Sequence, residues 1–265
     1  MKRHFIRDAA SSASILIELS LEDLKSGYKE SLAGNAWILI RPAVTVAVYF
    51  IVFQFFLRPP AGTVGAPYAI WFLGGMLPWL CFAEMLSTGT RSYREYSYLV
   101  RKISFPIRMI PLIKIFSGFI IHLYFLLFLC TLCIFCNQLR RISIAGFLYA
   151  AACLLIYTGL SAKFCSVIYV FFHDVSDLTG LFLQAGIWAV PILWDFQKVP
   201  AAYRPLFALN PMFHIVLNYR LALGCQGGEA FWGISFAAFW GHCVILGTVS
   251  EYLFRVLRLH ISDLL

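Results

Sequence analysis

Six ionisable residues fall within or at the ends of strongly apolar stretches: Glu84, Lys114, His122, Lys163, His242 and Glu251. Inside a bilayer each costs about 2.5–3.5 kcal/mol on insertion scales, so such groups point to function by default. Lys114, Lys163 and Glu251 lie near the ends of their stretches, where side chains reach water. Glu84 follows Pro78 toward the end of its own stretch, where it reaches water or a partner. His122 and His242 lie deeper and read as satisfied packing residues. No chain of acids marks a proton relay. Phe172-His173-Asp174-Val175-Ser176-Asp177 gathers a histidine, a serine and two aspartates, but adjacency in sequence is not a triad, because catalytic groups converge from separate elements. Cys130, Cys133 and Cys136 have the spacing of iron–sulfur ligands. They sit inside an apolar run without a nearby fourth cysteine, where cysteine behaves as a small hydrophobe. A phosphate-binding loop of the form G-x-x-x-x-G-K-[ST] is absent. The expectation is a chain with no catalytic residues, no metal ligands and no cofactor of its own.

The elements that carry these residues must be lipid-covered. Of 265 residues, 61% are apolar and 13% charged, against about 45–50% and 25% in soluble domains. A net charge of +8 then reads as basic loops held on the cytoplasmic side rather than a nucleic-acid surface, for which no aromatic-basic module exists. The first 36 residues are charged, and their longest apolar stretch is Ile15 to Ile17, too short for a cleavable leader.

About 20 apolar residues cross a bilayer as a helix. Six segments qualify: Trp37–Leu57, Tyr68–Leu86, Ile110–Cys136, Ile142–Phe172, Leu178–Trp194 and Ala230–Phe254. The predicted fold is an all-α integral membrane protein with six transmembrane helices. Six crossings place both termini, and fifteen of the 21 lysines and arginines, on the cytoplasmic side; Arg140 and Arg141 run against this assignment. Ile17, Leu21, Leu24, Tyr28 and Leu32 recur at three- and four-residue steps opposite Glu18, Glu22, Asp23, Lys25 and Lys29. That pattern predicts an amphipathic helix lying in the interface or packed on the loops. Residues 1–35 then form a cytoplasmic start and 36–265 a membrane domain. From Asp195 to Glu229, Pro200, Pro205 and Pro211 interrupt a mostly apolar sequence. Two short re-entrant helices between the fifth and sixth spans fit, as does a structured external loop. Broken backbone at membrane depth needs protein or a water-filled cavity around it.

Aromatic residues make up 17% of the chain. Tyr49, Phe53 and Phe56 share one face of the first span, and Trp71, Trp79, Trp188 and Trp194 lie on the second and fifth. They serve either as anchors and core or as a stripe offering flat faces to sugar rings in a channel.

Several local patterns coincide. Asp23-Leu24-Lys25, Tyr28, Ser31-Leu32-Ala33-Gly34, Trp37 and Pro42 resemble the entry and first span of bacterial ABC-transporter permeases that export polysaccharides. Gly74-Gly75-Met76-Leu77-Pro78-Trp79 with Phe82 is similar to that family's second span, and Leu99-Val100-Arg101-Lys102-Ile103-Ser104-Phe105-Pro106 with Pro111 to its first cytoplasmic loop. Phe171-Phe172-His173-Asp174-Val175 resembles the next loop, and Leu209-Asn210-Pro211-Met212, Tyr219 and Arg220 the re-entrant region. Gly27 and His173 stand where the family usually carries basic residues.

The resemblance implies a homodimer enclosing a channel in the bacterial inner membrane. Two copies of a separate nucleotide-binding subunit would bind ATP and Mg and dock on the cytoplasmic side, at Asp23, Lys25, Tyr28, Arg91, Arg94, Arg101, Lys102, His173 and Asp174. The cargo would be a lipid-linked polysaccharide such as O-antigen, capsule or a teichoic acid precursor, with membrane lipid and periplasmic export proteins as further partners. Tyr49, Phe53, Phe56, Trp71, Trp188 and Trp194 are the channel candidates, and Asn210, Pro211, Tyr219 and Arg220 the re-entrant gate. The competing expectation is a membrane-embedded transferase acting on a lipid-linked sugar or acyl donor, with Glu84 or His173 as its acid or base.

Overall fold

The structure is a computed structural model that describes residues 14–25, 34–56, 67–100, 106–225 and 227–264. Tyr28, Ser31-Leu32-Ala33, Arg101 and Lys102 lie outside these residues. Helix α1 covers residues 14–25. α2 (Trp37–Ile51) runs on through a π-helical turn, Val52–Phe56. α3 (Tyr68–Glu95) is followed by the short α4 (Ser97–Val100), then α5 (Ile110–Phe135) and α6 (Ile144–Phe171). α7 (Asp174–Ala189), α8 (Arg204–Ala208), α9 (Pro211–Ala222) and α10 (Trp232–Leu264) complete the chain. No strand occurs among the described residues.

Five helical stretches are long and apolar enough to cross a bilayer: Trp37–Phe56, Tyr68–Glu95, Ile107–Phe135, Ile144–Phe171 and Glu229–Arg258. They match five of the six expected segments. The fifth expected segment, Leu178–Trp194, has different bounds. Its helix starts four residues earlier, where Asp174 and Asp177 occupy the first turn and suit the positive helix N-terminus. It stops at Ala189 because Val190 precedes Pro191 and is extended (φ −109°, ψ 139°), as the residue before a proline tends to be. Sixteen residues rise about 24 Å, short of the roughly 30 Å hydrocarbon core.

α3 is the central post. Eighteen of its 28 residues are buried, and the main core gathers around it from α5, α6, α7, α9 and α10. Gly89 lets α6 come close: a Cβ there would lie 2.7 Å from that of Ala162. α2 is the opposite case, a peripheral helix with no buried residue. A second core joins α1, α4 and the adjoining ends of α3, α5, α6 and α10, through Leu16, Tyr93, Leu99, Ile113, Val170 and Phe254.

The region 195–229 folds as two short helices, as its proline pattern suggests. Pro205 and Pro211 each occupy the first turn of a helix, where the missing N–H is harmless, and the Asn210 side chain caps α9 by accepting from the Met212 N–H at 3.0 Å. Eleven of the twelve residues of α9 are buried. Its backbone is thus enclosed by protein.

Candidate functional site: a clamped surface helix and a buried short helix

At one end of the bundle, α1 is fastened by a single carboxylate. Lys114 Nζ lies 2.7 Å from Asp23 Oδ1, the Tyr96 hydroxyl donates to the same oxygen at 2.6 Å, and Ser117 Oγ donates to Oδ2 at 2.8 Å. Lys114 also bridges Glu95 at 2.7 Å, so one ammonium ties α1 to α3 and α5. Burial, and then the hydrogen bond to Asp23, raise the Tyr96 phenol well above the usual tyrosine range, which keeps it a donor. Ser20 adds a hydrogen bond to the Ile113 carbonyl at 3.2 Å. The face of α1 turned inward therefore carries Leu16, Ser20 and Asp23, while Ile17 and Leu21 of the apolar stripe remain exposed. A charged clamp rather than the apolar stripe orients the helix, since Asp23 would otherwise be desolvated without a partner.

Nearby, Glu251 of α10 accepts from Lys163 of α6 at 2.7 Å, from Arg108 at 2.9 Å and from Arg255 at 2.7 Å. Lys114, Lys163 and Glu251, the ionisable residues near the ends of apolar stretches, are thus members of ion networks.

Toward the other end, Arg220 of α9 is buried and spends its guanidinium on backbone. Nε donates to the Trp71 carbonyl at 3.2 Å, Nη1 to Pro191 at 2.6 Å and Nη2 to Ile192 at 2.9 Å. Its Cζ lies 3.7 Å from the centre of the Trp71 ring, a stacked geometry open to arginine but not to lysine. The proline-broken end of α7 exposes the carbonyls that Arg220 covers, so one side chain joins α3, α7 and α9. Gly75 leaves it room, as a Cβ there would sit 2.7 Å from Nη2.

The rest of α9 is held by a polar network absent from the sequence-based candidates. His214 Nε2 pairs with the Tyr149 hydroxyl at 2.9 Å and Nδ1 with Ser235 Oγ at 2.9 Å. Trp232 Nε1 donates to Asn218 Oδ1 at 3.1 Å. From α9 the network also reaches α5, where the Tyr219 hydroxyl meets His122 Nε2 at 2.9 Å. His122 is a partnered packing residue, as expected, whereas His242 is exposed and bonds the Ala238 carbonyl of its own helix at 2.8 Å. In sequence His214 is a single histidine in an apolar run, and its partners lie far away on α6 and α10.

The remaining candidates disperse. Of the docking residues, Lys25, Arg94, His173 and Asp174 are exposed, and Arg91 faces Glu95 at 3.8 Å on the surface. Among the channel aromatics, Tyr49 and Phe53 lean on the main core, Trp71 is buried beneath Arg220, and Phe56 and Trp188 are exposed. Trp194 donates to the Trp188 carbonyl at 3.0 Å. Within one chain these rings do not form a continuous stripe. Cys133 is buried in the main core. Glu84 makes no side-chain hydrogen bond or ion pair among the described residues and opens onto a cavity of about 210 Å³ between α2, α3 and α5.

Comparison with known proteins gives consistent matches. Residues 18–223 match the ABC-2 type transporter family. A Klebsiella pneumoniae protein named O-antigen export system permease protein RfbA is 25% identical over 257 residues, 95% of each chain. A second Klebsiella pneumoniae protein of that name is 26% identical over 215 residues, 78% of each chain. One from Myxococcus xanthus is 22% identical over 217 residues, 81% of this chain and 82% of its own.

Proposed function

Because the chain belongs to the ABC-2 type transporter family, we propose that it is the transmembrane subunit of an ABC exporter of polysaccharide, a multi-pass membrane protein and not an enzyme. The names of these relatives support that cargo. O-antigen on a lipid carrier is the cargo we favour. ATP, with its Mg, is hydrolysed by a separate subunit present in two copies, and two copies of this chain enclose the path in the inner membrane. Capsular and teichoic acid precursors are cargoes of the same class, and periplasmic export proteins would receive the chain.

The observation that carries the mechanism is the buried short helix α9. Broken backbone at membrane depth survives only inside protein or beside water, and eleven buried residues out of twelve meet that need. We read α8 and α9 as re-entrant, and α7 with residues 190–194 as a sixth, incomplete crossing that returns the C-terminus to the cytoplasmic side. Asn210, Pro211, Tyr219 and Arg220 then hold the outer closure. At the cytoplasmic end, α1 lies in the interface with Ile17 and Leu21 toward lipid. The ATPase docks against Lys25, Arg91, Arg94, His173 and Asp174, together with Tyr28, Arg101 and Lys102. Closure of the ATPase pair pushes this surface, and the Asp23–Lys114 clamp passes the push to α3 and α5.

Purified alone, the chain should hydrolyse no ATP; with the ATPase subunit, lipid-linked glycan should stimulate hydrolysis. Charge reversal at Arg101 and Lys102 should weaken co-purification of that subunit. Hydrolysis by the chain alone would overturn the proposal.

A further inference from the structure

The cavity between α2, α3 and α5 belongs neither to the clamp nor to the α9 closure. Trp37, Arg41 and Thr45 from the first turns of α2 form one wall, Glu84 of α3 another, and His122 and Phe125 of α5 the back. Its volume is about 210 Å³. Glu84 stands two residues before the end of the apolar stretch that closes at Leu86, across the cavity from Arg41. α2 has no buried residue, so the cavity is roofed by a helix that would meet lipid on its outer side. Trp37 and Arg41, with Arg41 Cζ 6.0 Å from the Trp37 ring, are residue types that anchor at the headgroup level. His122 already shares Nε2 with Tyr219.

We propose that this cavity holds the headgroup of a zwitterionic aminophospholipid, with the phosphate toward Arg41, the primary ammonium toward Glu84, and the acyl chains along the exposed apolar face of α2. The charges on the two walls select for this occupant. A purely anionic headgroup would meet Glu84, and a purely cationic one would meet Arg41. A guanidinium fork suits phosphate, and a primary ammonium donates charge-assisted hydrogen bonds to a carboxylate, which a quaternary ammonium cannot do. The lipid would act as a wedge supporting α2 against the bundle. This inference needs only the membrane-spanning reading and is independent of the cargo.

Native mass spectrometry of the full chain, titrated with phosphatidylethanolamine, phosphatidylcholine and phosphatidylglycerol of matched acyl chains, tests it. The wild type should bind phosphatidylethanolamine most tightly. Glu84→Gln should weaken that lipid about tenfold, the equivalent of one charge-assisted hydrogen bond, and erase its preference over phosphatidylcholine. Glu84→Asp should retain the preference, and Arg41→Met should weaken all three. Equal binding of the three lipids by the wild type, a preference for phosphatidylglycerol, or unchanged selectivity in Glu84→Gln would each overturn the proposal. The wild-type comparison decides the matter even where a variant fails to fold.

Discussion

Arg220 and Asp23 are each a single charge on which several elements converge. Arg220 offsets its burial with three carbonyls and an indole face, so Arg220→Lys keeps the charge but cannot reproduce the fork or the stacking. The variant should lose about 2 kcal/mol, which lowers the midpoint of thermal unfolding in detergent by about 4–8 °C. An unchanged midpoint would show that the carbonyls find other donors. Asp23→Asn leaves Lys114 paired with Glu95 but removes the negative charge and replaces one of the two carboxylate oxygens that accept from Lys114, Tyr96 and Ser117 with an amide donor. It should release α1 with little change in global stability, seen as faster hydrogen exchange over residues 14–25 and unaltered exchange in α3. Equal protection in the variant would mean that Leu16 and Ser20 hold the helix without the charge. Resemblance to a family singled out both residues, but their partners lie 28 to 149 positions away in sequence, and no local pattern encodes such distances.

Hydrophobic run length and proline positions made most of the helices legible. Five expected segments became long helices, and Pro205 and Pro211 start short ones where the sequence broke. The end of α7 is not legible in this way: the apolar run continues through Trp194, while Pro191 stops the helix after Ala189. The apolar stripe of α1 likewise concealed which face meets the protein, because ion pairing across elements outweighs amphipathic pattern at Asp23. Helix contacts depend on small residues that a run of hydrophobicity does not reveal. Gly89 meets the Ala162 Cβ with no flexible side chain to yield, so Gly89→Ala should force α3 and α6 apart at a cost of about 1–3 kcal/mol. Ala162→Gly added to it should restore the melting temperature. Failure of the second change to rescue would place the strain elsewhere.

For the whole molecule, the decisive question is what passes through it and what drives the passage. The described helices make a post, α3, with a clamped helix at one end and an enclosed short helix toward the other, and the sequence contains no G-x-x-x-x-G-K-[ST] phosphate-binding loop. Six crossings require the two chain ends to share a face, so impermeant cysteine-directed labels at added terminal cysteines should reach both only from the cytoplasmic side. Labelling from opposite sides would remove α7 as a crossing and leave five. The most direct measurement places the chain in sealed vesicles with its ATPase subunit and a lipid-linked O-antigen outside, the cytoplasmic face being outward. On adding ATP, the account predicts that the glycan becomes protected from an external glycan-degrading enzyme, and only when both subunits are present. Protection without nucleotide, or with this chain alone, would contradict it.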